Sequence, residues 1–168
     1  MATHYVQDED IINLLAPIDI VATTTMSNWM DLSNAHDASF LVYFGVLTSV
    51  STTDDGVVTV EASSVSVSGS ETQVPFSYRL SGAAGTNTWG SITAVSADVG
   101  APMALGSDGM CMHIQIDPDV INALSTTVLK RWVRVSIDPT AEADHTNVAV
   151  LGLTRPRFKQ TTMVDISS

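Results

Sequence analysis

The feature that most constrains the fold of this 168-residue chain is a series of strand-like segments separated by turn signals. Apolar residues alternate with polar ones over 58–62 and 110–116, a period of two that places one side of a strand on a core. The turn signals Asp54-Asp55-Gly56 and Ser107-Asp108-Gly109 precede these two segments. The pattern predicts antiparallel strands that each bury one face.

The run Phe40-Leu41-Val42-Tyr43-Phe44 differs from the other segments because it is apolar throughout, and it ends at Gly45. A continuous apolar run of this length is typical of a strand that is covered on both faces. We therefore expect this strand to lie at the centre of the core.

Further segments bring the number of predicted strands to seven or eight. They are 76–80, 89–95, 132–137 and 148–154, and the strand at 58–62 is predicted to continue through Val65 and Val67 after a bulge, with a loop at 69–75. Asp117-Pro118-Asp119 adds a short crossover helix over 120–124, because it combines an N-cap residue, proline and an acid in the first turn. The fold expected is an antiparallel β-sandwich or a flattened β-barrel.

The N-terminal segment is predicted to differ from the rest of the chain. An acidic residue, Asp8 or Asp10, can cap a helical turn over 11–15 that the next proline ends, and a flexible arm is the alternative. The domain organisation expected is an N-terminal arm or short helix over residues 1–16, followed by a single β-rich domain over 17–168.

Charge is distributed unevenly along the sequence. The first 78 residues contain no lysine or arginine but hold ten of the 18 acidic residues, and six of the seven basic residues lie beyond residue 129. If the two halves form different surfaces, the acidic half faces solvent and the basic end docks on an anionic protein surface. Alternatively, the acidic half packs on the basic end of a neighbouring copy. The net charge of −11 argues against a nucleic-acid partner.

Composition favours a protein that binds other proteins. Charged residues make up 15% of the chain, against about 25% in ordinary soluble domains, so we expect an oligomer. The longest apolar segment, 11–22, is too short to span a bilayer and is interrupted by polar residues, so no membrane contact is expected. The acidic N-terminus does not resemble a signal peptide, and synthesis in the cytoplasm is expected.

The sequence contains no motif that predicts catalysis, a metal or a cofactor. Its four histidines lack zinc-ligand spacing, and no nucleophile elbow, phosphate-binding loop or dinucleotide fingerprint is present. Cys111 and His113 share one side of a strand, which we interpret as coincidence, with Cys111 a buried, inert thiol. Three tryptophans, Trp29, Trp89 and Trp132, are interpreted as core or interface residues rather than as a sugar-stacking platform.

The basic C-terminal residues are the candidate partner-binding site. Arg134 lies on the strand face opposite its valine neighbours and is expected to face solvent or a partner. Arg155, Arg157 and Lys159 alternate around Pro156, and a proline there indicates a sheet edge or exit. These bases either protect an edge strand with charge or dock on carboxylates of a neighbouring subunit, where arginine pairs in a planar, bidentate manner.

About half of the chain resembles the β-rich capsid decoration, or cement, proteins of tailed bacteriophages. The resemblance rests on the passage from Asp117 to Ile137, on 148–153, on the closing Arg155-Pro156-Arg157, and on Trp29-Met30-Asp31-Leu32-Ser33 before the apolar strand. Such proteins are sandwiches or barrels with helical insertions, are often trimeric, and sit at local symmetry axes of the capsid.

The resemblance implies a non-enzymatic virion structural protein that is made in the host cytoplasm and binds the outside of an assembled capsid. Its expected partners are the major capsid protein and further copies of itself, most simply in a homotrimer, and bridging of capsid subunits would stabilise the shell. The alternatives are a tail, neck or fibre component of the phage, and a carbohydrate-binding β-sandwich module.

Overall fold

The computed structural model describes residues 10–21, 23–45, 56–82, 85–103, 109–124, 129–139 and 145–156. Within these ranges the chain is mainly β, with two antiparallel sheets and one short helix. The prediction of an antiparallel β-sandwich is confirmed, and the described strands do not close into a barrel.

The described ranges contain twelve strands, several of them only two or three residues long. In chain order they are β1 (Asp10–Val21), β2 (Thr25–Met26), β3 (Met30–Asp31), β4 (Ala35–Phe44), β5 (Val57–Ser63), β6 (Thr72–Val74), β7 (Phe76–Leu80), β8 (Thr93–Val95), β9 (Ala101–Pro102), β10 (Met110–Ile116), β11 (Trp132–Asp138) and β12 (His145–Pro156). The helix α1 (Pro118–Ala123) lies between β10 and β11.

The first sheet has the strand order β1-β12-β4-β10-β7-β8. The second sheet has the order β2-β11-β5-β6, and in addition β3 pairs with β11 and β9 pairs with β5. Strands from the two halves of the chain therefore alternate across the first sheet, and in the second sheet β11 of the second half lies between strands of the first half. In the first sheet β4 lies between β12 and β10, and in the second sheet β5 pairs with β11.

The core lies between the inner faces of the two sheets. In the first sheet Phe40, Val42 and Phe44 are fully buried, and in the second sheet Val133 and Val135 are fully buried. The alternation predicted for 110–116 is confirmed from Cys111 onward, because Met112, Ile114 and Ile116 are buried while the residues between them are half-buried or exposed. The prediction that the 40–44 strand lies at the centre of the core is therefore confirmed for the residues on its inner face.

The N-terminal helix prediction is wrong, because residues 10–21 form the edge strand β1 along the whole length of β12. The register shifts on either side of Leu15, and the second shift passes Pro17. Proline lacks an N–H for the ladder and is accepted in an edge strand at such irregularities. Pairing with β12 therefore overrides the local helical signal.

The predicted crossover helix is confirmed as α1. The Asp117 side chain accepts a hydrogen bond from the Asp119 N–H, and Pro118 occupies the first turn. Ile121 is buried and packs this side of the helix against the core. Along the chain α1 lies between a strand of the first sheet and a strand of the second sheet.

Three details of the strand prediction are wrong. The strand at 58–62 does not continue through Val65 and Val67, since 64–70 are bends and both valines are exposed. The loop predicted at 69–75 contains β6 instead. The strand predicted at 89–95 is reduced to β8, with Trp89 joined to Ser81 by an isolated bridge. The turn residues Asp54, Asp55, Ser107 and Asp108 lie outside the described residues.

Candidate functional site

The outer face of the first sheet, which points away from the core, carries alternate residues of its long strands. Register places one residue from each of five neighbouring strands in a single row across this face. The row consists of Asn13 of β1, Leu151 of β12, Leu41 of β4, His113 of β10 and Arg79 of β7. The face thus changes from apolar at its centre to cationic and aromatic near β7.

An apolar groove of about 350 Å³ occupies the centre of this face. It is lined by Asn13, Leu15, Pro17, Leu41, Tyr43, Ala149 and Leu151. The prediction that the 40–44 strand is covered on both faces is wrong for this chain, because Leu41 is half-buried and Tyr43 is 43% exposed. A strand with the composition of a doubly covered strand therefore has one accessible face.

A polar groove of about 430 Å³ lies beside the apolar one, between β12, β4 and β10. Its lining includes Ser39, His113, Gln115 and the pair Arg155 and Asp37. The Arg155 Nη1 to Asp37 Oδ2 distance is 3.3 Å, and both side chains are more than half exposed. Such an exposed ion pair contributes little to stability.

Arg79, Trp89 and His113 form a cluster at the β7 side of the face. The Arg79 Nε donates a hydrogen bond to Nδ1 of His113 at 3.3 Å, and its guanidinium carbon lies 4.9 Å from the Trp89 ring centre. The Trp89 and His113 rings meet edge to face, with 6.0 Å between their centres. Sequence analysis missed this cluster, although Arg79 is the only base before residue 130.

Arg134 lies on the outer face of the second sheet and is surrounded by groups of its own chain. Its Nε donates to Glu61 at 2.8 Å, Nη1 donates to Ser68 at 3.2 Å, and Nη2 donates to Glu71 at 3.1 Å. The Trp29 ring centre lies 4.3 Å from the guanidinium carbon, and Arg134 is only 5% exposed. The prediction that Arg134 faces solvent is therefore wrong, although it does lie opposite the valines.

The four ion pairs that join described residues all connect an acid of the first half with a base beyond residue 129. They are Asp31 with Arg131, Glu61 and Glu71 with Arg134, and Asp37 with Arg155. Because strands of the two halves pair with each other in both sheets, these charges meet within one chain. Separate acidic and basic surfaces do not form in the described part of the molecule.

Two carboxylates of these pairs have pKa values below their usual range. Partial burial acts to raise the pKa of Asp31, but hydrogen bonds from the Arg131 side chain and from Ser33 outweigh it. The pKa of Glu71 is lowered by hydrogen bonds from its own N–H and from the Gly69 N–H, and further by Ser68 and Arg134. Both carboxylates are therefore held ionised by the fold.

The two predicted docking residues that the structure describes lie on different sheets. Arg155 lies on the first sheet and Arg134 is buried on the second, while Arg157 and Lys159 fall outside the described residues. The tryptophans are likewise divided, because Trp89 adjoins the first sheet while Trp29 and Trp132 lie on the second. An arginine packs over each of the three rings.

Cys111 and His113 share one side of β10, as predicted, and both are half-buried. Burial raises the pKa of the Cys111 thiol, which keeps it protonated and unreactive near neutral pH. Among the described residues no three His, Cys, Asp or Glu side chains lie close enough together to bind a metal ion. The described part of the chain also contains no helix with the length and apolar character needed to cross a membrane.

Comparison of the chain with protein-family models, with curated proteins and with solved structures finds no match. The functional argument therefore rests on the geometry of the two outer faces.

Proposed function

We propose that this chain is a non-enzymatic structural protein that binds the outside of an assembled protein lattice through the outer face of its first sheet. Following the sequence resemblance, the lattice is the capsid of a tailed bacteriophage and the partner is the major capsid protein. Bridging of neighbouring capsid subunits would add the free energy of binding to the stability of the shell.

The observation that carries the proposal is the accessible apolar groove on β4. Phe40, Val42 and Phe44 fill the core, while Leu41 and Tyr43 of the same apolar run lie in a groove open to solvent. Contiguous apolar surface of this kind marks sites of protein contact. A partner that covers the groove would give this strand the double covering that its composition predicts.

The size of the face favours binding by several linked copies. Four strands, each contributing about five residues, span roughly 19 Å by 17 Å, or about 320 Å². Specific, stable interfaces bury about 800 Å² on each partner, so a single face of this size would bind weakly. Three copies in a trimer would engage three lattice sites together and gain affinity through their linkage.

The proposal is tested by sedimenting the protein with purified capsids of the phage that encodes it. The intact protein is expected to sediment with mature capsids and to raise the temperature at which they break open. Leu151→Gln places a polar amide in the apolar groove and is expected to weaken capsid binding about tenfold or more, because three copies lose the contact together.

Val67→Gln is the matched control, because Val67 is 64% exposed and lies in the 64–70 segment, away from the groove. It is expected to bind capsids as the intact protein does. Failure of the intact protein to bind any phage particle would overturn the proposal. Sedimentation with tails rather than heads would instead support the alternative of a tail, neck or fibre component.

A further inference from the structure

We infer that Arg79, Trp89 and His113 form a binding site for a carboxylate on the protein partner that covers the apolar groove. The inference builds on the proposed function, since it specifies the chemistry of the partner at the same face. The ligand is an aspartate or glutamate side chain that lies beside an apolar side chain on the partner surface.

Arg79 differs from the other arginines of the described ranges in what surrounds its terminal nitrogens. Arg131, Arg134 and Arg155 each pair with a carboxylate of their own chain. Arg79 uses its Nε on His113, whereas no described residue accepts a hydrogen bond from Nη1 or Nη2. These two nitrogens present the planar fork that binds a carboxylate through two parallel hydrogen bonds.

The two rings beside Arg79 fix this fork before a ligand arrives. Nδ1 of His113 accepts the Nε hydrogen bond on one side, and Trp89 packs against the guanidinium at 4.9 Å. Trp89 is 40% exposed, so it also supplies apolar surface at the edge of the site. Fixing the side chain in advance lowers the entropy lost on binding, which strengthens an otherwise weak surface ion pair.

The overall charge selects a carboxylate rather than a phosphate polymer. The chain carries a net charge of −11, so nucleic acid and other dense polyanions are repelled from it. A single carboxylate within an apolar surface avoids this repulsion and still pairs with the guanidinium. The partner surface that fits is therefore largely apolar, with one acid placed opposite Arg79.

The register of the strands sets the distance between the two parts of the ligand. Leu41, His113 and Arg79 lie in one row across β4, β10 and β7. Two strand spacings separate Leu41 from Arg79, or about 10 Å. In an extended peptide, residues that share a face are two positions apart, or about 7 Å, and Arg79 leans toward Leu41 to reach His113. A peptide with leucine at one position and glutamate two positions later therefore presents both side chains to this face.

The experiment compares two blocked tripeptides by NMR, one with leucine first and glutamate third, the other identical except for glutamine in the third position. Signals of the Arg79 Nε–H and the Trp89 indole N–H report binding at millimolar peptide. The glutamate peptide is expected to bind about threefold to tenfold more tightly than the glutamine peptide, as expected for a charge-assisted pair near the surface.

Variants locate the preference. Arg79→Gln is expected to abolish the difference between the peptides, and Arg79→Lys, which keeps the charge but loses the fork, is expected to reduce it. In both variants the Trp89 indole signal reports binding. Arg155→Gln is the control on the same face, because Arg155 already pairs with Asp37, and it is expected to leave the preference unchanged.

Equal affinity for the two peptides, absence of binding by the glutamate peptide, or a preference that persists in Arg79→Gln would overturn the inference. The capsid experiment fails independently of this one. Glutamate preference without capsid binding would overturn the proposed function alone, and capsid binding without glutamate preference would overturn the carboxylate site alone.

Discussion

The arginines on the outer faces of the two sheets differ in how many hydrogen-bond partners their own chain supplies. On the second sheet, Arg134 is covered by Trp29 and has three hydrogen-bond partners from its own chain. On the first sheet, Arg79 and Arg155 lie beside open grooves. The chain satisfies Arg134 with its own groups, whereas the terminal nitrogens of Arg79 have no hydrogen-bond acceptor among the described residues.

The cause of this difference is one segment of chain. Residues 64–71 follow β5 and bring Ser68 and Glu71 to the guanidinium of Arg134 on the neighbouring strand β11. The described ranges contain no segment that brings comparable partners to Arg79. The second sheet is therefore closed by its own chain at this point, and the first sheet is left available.

The largest expected effect tests the closed face. Arg134→Met removes the cation and leaves Glu61 and Glu71 without their partner in a site that is mostly buried. Removing one partner of a buried ion pair lowers the free energy of unfolding by about 3 kcal/mol. Urea denaturation of the variant and of the intact protein measures this difference.

Arg155→Met is the matched control, because it breaks an ion pair whose two members are more than half exposed. It is expected to change the unfolding free energy by less than about 1 kcal/mol. Equal losses in the two variants would contradict the distinction between a closed and an open face.

A smaller effect is expected from Glu61→Gln, which keeps the size of the side chain and one oxygen acceptor but removes the charge that Arg134 Nε contacts at 2.8 Å. Loss of a charge-assisted bond, with Glu71 still present, is expected to cost about 1 to 2 kcal/mol. Thermal and urea unfolding measure it. Asp37→Asn on the open face is the comparison, and a larger loss there would reverse the expected order.

The smallest expected effect concerns acid. The pKa values of Asp31 and Glu71 are lowered in the folded protein from ordinary values of 3.8 and 4.5. Their contribution to stability is therefore fully present above pH 4.5 and is lost as the pH falls through the lowered values. When the pH is lowered from above 4.5 to below 3.8, the free energy of unfolding of Asp31→Asn is expected to fall by less than that of the intact protein. Identical losses would exclude Asp31 as a cause.

The sequence was sufficient where structure depends on neighbouring residues. The alternation of apolar and polar residues predicted β10, and Asp117 and Pro118 predicted the start of α1. It failed for β1, whose partner β12 begins more than a hundred residues later and outweighs the helical signal of 11–15. The pattern of neighbouring residues carries no information about the free energy gained when two such distant strands pair.

The candidate site could be predicted only in part, for the same reason. The pattern placed Arg134 on the correct side of β11, but its burial depends on Trp29 and on the 64–71 segment. The cluster around Arg79 depends on the pairing of β7 with β10, which brings His113 beside it. Arg155 was identified by its place in a basic cluster, and it does lie on the open face.

The pairing of strands from the two halves of the chain also affects how the protein is made. β12 pairs with both β1 and β4, and β11 pairs with β2, β3 and β5, so neither sheet is complete until the last strands leave the ribosome. During that interval the first 78 residues expose apolar strands, and they carry ten acidic residues but no lysine or arginine. We expect mutual repulsion of these charges to keep nascent chains apart while their pairing partners are still being synthesised.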